Sequence, residues 1–210
     1  MKLLKLVQSK KSPDRWYAEL ESGESLRVGL SEIAALSLYA GRELSEEETE
    51  KLRAGSANFS AKERSLRLLS SRQMSRKELE KKLREKGAAE EDVASAADLM
   101  ERIGALNDNE YAAAIVRHYS KRGYGKGRIT QELFRRGVEK ELWEEALSEL
   151  PVETDAIDVL VSRRLKGRAP EGEEKKKLCD MLLRRGYSWT EIKEALNRYG
   201  ANTEEIEEYE

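Results

Sequence analysis

Hydrophobic positions change their period near residue 58. Before that point apolar runs are short and separated by turn residues. Leu3 to Val7, Trp16 to Leu20 and Leu26 to Val28 read as three strands. Ser12-Pro13-Asp14 and Ser22-Gly23-Glu24 separate them as turns. So few strands are marginal alone and need a helix to cover one face. The nearest candidate opens at Ser31 and carries Ile33, Leu36 and Leu38. A second helix start is marked by Ser45, an N-cap residue followed by Glu46, Glu47 and Glu48, which suit the positive end of a helix dipole. Ala54-Gly55-Ser56-Ala57-Asn58 reads as a linker.

From Ser60 onwards the pattern is helical and repeats. Three segments end in a basic residue and a glycine, at Gly87, Gly137 and Gly186, about 50 residues apart. The register holds within each unit. Leu79, Ile129 and Leu178 stand eight residues before the glycine, and Leu83, Leu133 and Leu182 stand four before it. Val93, Trp143 and Ile192 stand six after it, and Ala97, Leu147 and Leu196 ten after it. Apolar residues four apart share one helix face, and a glycine just beyond that face ends the helix in the left-handed conformation. A further helix precedes each pair, within Ser60 to Ser70, Asp108 to Lys121 and Thr154 to Lys166.

The expected fold is therefore mainly α. Three tandem three-helix repeats form an elongated curved rod, with a small N-terminal β-hairpin and helix region. The expected boundaries are 1–57 for the N-terminal region, 58–107, 108–151 and 152–200 for the repeats, and 201–210 for an acidic tail. Such units bury their apolar faces only partly alone and stack on their neighbours.

Composition agrees with that picture. Charged residues make up 38% of the 210 residues and hydrophobic ones 39%, against roughly 25% charged in an average domain. A thin core with much surface fits an array of helices better than a compact enzyme. One cysteine, Cys179, and one histidine, His118, exclude an internal disulfide and a Cys/His zinc site. No cofactor and no metal are expected, and no nucleophile–base pair or carboxylate dyad stands out. The first residues break their apolar run at Lys5, too early for a signal segment. No run of about 18 apolar residues offers a membrane span. A cytoplasmic monomer without a membrane contact is expected.

The net charge of −2 hides strong local blocks. Arg117, Lys121, Arg122, Lys126, Arg128, Arg135 and Arg136 face Glu132 alone within one helix pair. Arg163, Arg164, Arg184 and Arg185 belong to a second basic region that also takes in Arg168. Glu139 to Glu149 is acidic. Between the first helices lies Arg122-Gly-Tyr-Gly-Lys-Gly-Arg128, where Tyr124 can anchor a partner and the cations can meet carboxylates or phosphates. The same residues are also compatible with an ordinary helix–helix turn and solvated charges. No Gly-Lys-Ser/Thr follows, so a nucleotide loop is not indicated.

These residues resemble the RecX family of bacterial recombination regulators. The resemblance runs through Arg72 to Gly87, Gly104-Ala-Leu-Asn-Asp-Asn-Glu-Tyr-Ala112, Arg122 to Gly137, and Leu182-Leu-Arg-Arg-Gly-Tyr-Ser-Trp-Thr-Glu-Ile192, and covers about residues 60–200. It implies a non-enzymatic regulator of DNA repair, recombination and the SOS response. Such a protein binds RecA and its filament on single-stranded DNA, limits filament extension, promotes disassembly, and lowers ATPase, strand-exchange and coprotease activity. The motif places Arg122, Tyr124, Lys126, Arg128, Arg135 and Arg136 at the family's positions. A weak contact with single- or double-stranded DNA is compatible with the basic faces. The competing expectation is a free-standing helical DNA-binding protein acting through those same faces.

Overall fold

A computed structural model describes residues 1–148, 150, 153–166 and 169–200, with the backbone alone at 153–155. The expected acidic tail, 201–210, and Arg168 lie outside the described residues.

The three N-terminal strands form where the alternation placed them. They are β1 (Leu3–Gln8), β2 (Trp16–Leu20) and β3 (Ser25–Val28). They make an antiparallel meander in the order β1-β2-β3, with Gln8 opposite Trp16 and Trp16 opposite Val28. Leu3, Ala18, Leu20 and Val28 point to one face and are buried with Leu38, Leu44 and Leu52. The covering helix α1 (Leu30–Ala35) is shorter than its apolar spacing predicts. Its end is a tight turn at Ser37, whose φ of 45° lies in the left-handed region, and that turn carries Leu38 into the core.

The next helix corrects the expectation of a linker. Helix α2 (Glu46–Ser71) runs without a break through Ala54 to Asn58. The small residues there are a contact stripe. A Cβ on Gly55 would stand 2.8 Å from Glu32 Cγ, and Ser56 is buried. Phe59, one turn on, approaches Gly29 so closely that a Cβ there would stand 2.8 Å from the ring. Small side chains in α2 therefore let α1 and the end of β3 settle on the helix. Its start is the expected one: the Ser45 hydroxyl accepts from the Glu48 N–H at 3.1 Å, and Glu48 accepts from the Ser45 N–H at 2.9 Å. This reciprocal cap satisfies two of the orphan donors of a helix start. Arg15 pairs with Glu63, tying the sheet to the far half of α2.

The C-terminal half of α2 is also the first helix of the first repeat. It packs with α3 (Arg76–Arg84) and α4 (Glu90–Arg102) around Leu79, Leu83, Val93, Ala96 and Met100. The second repeat comprises α5 (Asp108–Ser120), α6 (Lys126–Arg135), a 3-10 turn Lys140–Leu142, and α7 (Trp143–Ser148). Its core is Tyr111, Ala112, Ile115, Val116, Ile129, Leu133, Val138 and Ala146. The third repeat comprises α8 (Glu153–Leu165), α9 (Gly172–Arg184) and α10 (Trp189–Arg198), around Ile157, Val161, Leu165, Leu178, Leu182, Ile192 and Leu196. The third helix expected in the second repeat is present, opening as a 3-10 turn that runs directly into α7. Trp143 is only half-buried, and its Nε1 donates to the Val138 carbonyl at 3.1 Å.

The glycine register has one structural cause. Gly87, Gly137 and Gly186 have φ of 80°, 73° and 87°. In each case the N–H one residue later reaches back to the carbonyl five positions upstream. These bonds are Ala88 to Leu83 (3.2 Å), Val138 to Leu133 (3.1 Å) and Tyr187 to Leu182 (3.2 Å). That is the Schellman closure, and it places the residue after glycine against the core. The chain divides into two compact units, 1–107 and 108–210. The first holds the sheet and the first repeat, and the second holds the other two repeats. Among the described residues no helix is long and apolar enough to cross a membrane.

Candidate interaction surface

The glycine-rich segment between α5 and α6 is a docking joint between the second and third repeats. Gly123 has φ of 72° and reverses the chain after α5. Gly125 is the N-cap of α6. Its N–H donates to the Arg185 carbonyl at 2.9 Å, and the Gly127 N–H donates to the Gly186 carbonyl at 3.0 Å. A Cβ on Gly125 would stand 2.7 Å from that Gly186 oxygen. A Cβ on Gly186 would stand 2.1 Å from the Arg128 backbone nitrogen. Backbone meets backbone here, and only glycine leaves the space. The close approach read from Gly123, Gly125 and Gly127 is therefore used within the chain.

Tyr124 and Arg185 complete the joint. The Arg185 guanidinium lies 5.3 Å from the Tyr124 ring centroid. Its Nη1 donates to the carbonyls of Arg122 and Gly123 at 2.9 and 3.1 Å. Tyr124 also packs on Tyr119, 5.4 Å between ring centroids, beside the core of the second repeat. An aromatic residue held between a ring and a cation is a rigid part of the fold.

Three more of the sequence candidates converge on one carboxylate. Glu132 is 3% exposed. Arg135 Nη2 lies 2.6 Å from Glu132 Oε2, Arg128 Nη2 lies 3.3 Å from Oε1, and Arg136 Nε lies 3.6 Å from Oε2. Arg136 also donates to the Tyr111 hydroxyl at 2.9 Å. Burial alone pushes the Glu132 carboxyl up. The hydrogen bonds from Arg135 and Tyr119, with the charges of Arg135 and Arg128, outweigh it and hold the group below the usual carboxylate range. A buried carboxylate is tolerable only with such partners. Glu132 was visible in the sequence as the lone acid among the cations, but its burial was not.

The remaining candidates are directed to solvent. Arg117 pairs with Glu110 at 3.0 Å and stays exposed. Arg122 lies 3.3 Å from the His118 ring, and His118 stands edge-on to Tyr119. Lys121, Lys126, Arg163 and Arg164 are exposed and form no ion pair among the described residues. Arg184 is exposed, and its Nε donates to the Asp180 carbonyl at 3.2 Å. Leu160, one helical turn before Arg164, would meet a Cβ on Gly123 at 3.3 Å. The basic residues of α8 and of the joint therefore lie on neighbouring parts of one unit.

Periodicity missed Phe134. It is 69% exposed, directly after the buried Leu133 on α6. The available signal was its register: it stands three residues before Gly137, off the face that Ile129 and Leu133 share. Among the described residues no group of three or more His, Cys, Asp or Glu is placed to hold a metal ion.

The chain is similar to known proteins over both units. Residues 61–98 match the first three-helix domain of RecX, and residues 107–147 match its second three-helix domain. The regulatory protein RecX of Vibrio parahaemolyticus is 34% identical over 141 residues, which are 66% of this chain and 91% of that protein. The regulatory protein RecX of Clostridioides difficile is 26% identical over 204 residues, which are 93% of this chain and 94% of that protein. A crystal structure of regulatory protein RecX superimposes with a TM-score of 0.72, covering 94% of this chain and 98% of that one at 24% identity. RecX from Lactobacillus salivarius gives a TM-score of 0.62 over 69% of this chain. The glycine register, the paired three-helix domains and this similarity together place the chain in the RecX family of regulatory proteins.

Proposed function

We propose that this chain binds RecA and its filament on single-stranded DNA, limits filament extension, and lowers the recombinase, ATPase and coprotease activities that depend on the filament. It acts as a cytoplasmic, monomeric, non-enzymatic regulator of DNA repair and recombination. The observation that carries the reading is the uncompensated basic surface of the second unit. Lys121, Lys126, Arg163 and Arg164 have no ion-pair partner among the described residues, while the whole chain carries a net charge of −2. Like charges concentrated on one part of a slightly acidic chain are most simply explained by a partner of opposite charge.

The proposed contact set is Arg117, Lys121, Arg122, Lys126, Arg128, Arg135, Arg163, Arg164 and Arg184. Tyr124, Arg136 and Arg185 serve it by holding the joint and the Glu132 cluster in place. The segments 108–151 and 152–200 act as two binding modules, and 58–107 is a further three-helix module of the same chain. Repeated modules suit a polymer whose surface also repeats, because weak contacts add through effective concentration. Contact with DNA phosphates is a lesser part of the same surface.

The test is RecA ATP hydrolysis on single-stranded DNA against added protein, at two salt concentrations. The full chain should inhibit, less well at high salt. Lys121→Ala/Lys126→Ala/Arg164→Ala should fold normally and inhibit at least tenfold less well. Absence of inhibition by the full chain, together with tight and steeply salt-dependent duplex binding without RecA, would establish a free-standing DNA-binding protein instead.

A further inference from the structure

Among the described residues Phe134 belongs neither to the core of the second repeat nor to the partly buried side chains packed against it. Its ring is 69% exposed on α6, while Leu133 beside it is fully buried. An aromatic residue so exposed on a helix is characteristic of contact surfaces, where a few aromatic and arginine residues carry most of the binding. Its neighbours fit that description. Arg135 follows it, largely exposed yet held at 2.6 Å by the buried Glu132. The cation is thus presented beside the ring with part of its conformational freedom already lost.

The same arrangement recurs one repeat later. Leu183 stands three residues before Gly186, as Phe134 stands three before Gly137, and Leu183 is also exposed. Arg184 follows it, as Arg135 follows Phe134. The first repeat departs from the pattern. Arg84 occupies the register there and pairs with Glu90 at 2.7 Å and Glu80 at 3.3 Å. An apolar knob followed by an arginine is therefore a property of the second unit. The separation of its two knobs is set by the joint. The end of α9 abuts the start of α6 at Gly186 and Gly125, and about 14 Å of helix then leads to Phe134.

We infer that Phe134, with Leu183 as its counterpart, is the apolar anchor of the RecA contact, entering an apolar pocket rimmed by carboxylates on the RecA protomer. This rests on the proposed partner. Two features select a protein pocket over a nucleic-acid base. Leucine holds the same register and has no ring to stack. The arginine that follows each knob complements an acidic rim. The basic residues then steer association, and the knobs set the lifetime of the complex.

The experiment measures inhibition of RecA ATPase on poly(dT), with binding of the same variants to poly(dT) alone. Circular dichroism and thermal melting serve as folding controls. Phe134→Ala should fold as the parent does and inhibit at least tenfold less well. Leu183→Ala should lose about threefold, Arg84→Ala nothing, and Phe134→Leu should stay within threefold of the parent. If the parent chain does not inhibit RecA, the proposed function fails. If it inhibits and Phe134→Ala inhibits equally, the anchor alone is refuted. If Phe134→Leu is as weak as Phe134→Ala and both lose poly(dT) binding without RecA, the ring stacks on bases and the protein pocket is refuted.

Discussion

Helices α3 and α6 are the same element in two repeats, yet they treat their cations in opposite ways. In α3, Arg76 meets Glu80, Asp98 and Glu101 within 2.5–2.9 Å, and Arg84 meets Glu80 and Glu90. Charges there close on one another across α3 and α4. In α6, Arg128, Arg135 and Arg136 share the single buried Glu132, and Lys126 has no ion pair among the described residues. A count of basic residues does not distinguish the two. The difference lies in how many acids the neighbouring helix supplies. The cluster around Glu132 thereby keeps an excess of positive charge, where the clusters around Arg76 and Arg84 are neutralised.

The largest expected effect tests the other difference between the repeats, the surroundings of their shared glycine. Gly87 and Gly186 have similar left-handed backbones, but a Cβ on Gly87 would meet nothing within 4 Å, whereas one on Gly186 would meet the Arg128 nitrogen at 2.1 Å. Gly87→Ala should cost about 1 kcal/mol, the ordinary penalty of a left-handed alanine. Gly186→Ala should cost about 3 kcal/mol or more, because the joint must also open. Urea unfolding of the two variants checks this. Equal losses would mean that the joint adds nothing to stability.

A smaller effect sharpens the contrast in charge. Glu132→Gln removes the acid that three arginines share and should cost about 1–3 kcal/mol in thermal or urea unfolding at pH 7. The sign of its pH dependence follows from the lowered carboxyl. The stabilisation is present above the unfolded pKa of about 4.3 and is lost as pH falls through the lower folded value. The Glu132→Gln chain should therefore lose stability less steeply than the parent below about pH 4. An identical acid limb in both chains would show that the cluster is not a net contributor.

The smallest effect concerns the exposed cations. Lys121→Ala, Lys126→Ala and Arg164→Ala should each change stability by no more than about 0.5 kcal/mol. Arg76→Ala in α3 should cost more, about 1–2 kcal/mol, because it leaves Glu80, Asp98 and Glu101 close together without their shared cation. Thermal melts of the four variants rank them. A ranking with Lys126→Ala at or above Arg76→Ala would remove the distinction between the two helices.

Much of the architecture was legible because it depends on near neighbours. The cap at Ser45 and the three glycine helix ends rest on contacts within about five residues, the strand Trp16–Leu20 on pairing with the two strands next to it in sequence, and the structure has each of them in place. The apolar register was equally local, and Leu79, Ile129, Leu178, Leu83, Leu133 and Leu182 are all buried. The basic character of the second repeat was visible as composition.

What the sequence by itself determined is thus the set of helices and strands, their ends, and their buried faces. Only the tertiary structure decided what the small and charged residues do. Ala54 to Asn58 has the composition of a linker and becomes helix interior, because Glu32 of α1 packs over Gly55 where a side chain would clash. The glycines at 123, 125 and 127 have the composition of a binding loop and become a joint, because Gly186, about sixty residues away, offers its backbone. Glu132 and Phe134 are two residues apart on one helix, one buried and one exposed. Glycine is found in core and surface alike, and a charged side chain leaves the surface only where partners meet it, as the arginines meet Glu132. The roles of Gly55 and of the glycines at 123, 125 and 127 are set by whichever distant element arrives beside them, and nothing within a few residues along the chain records that arrival.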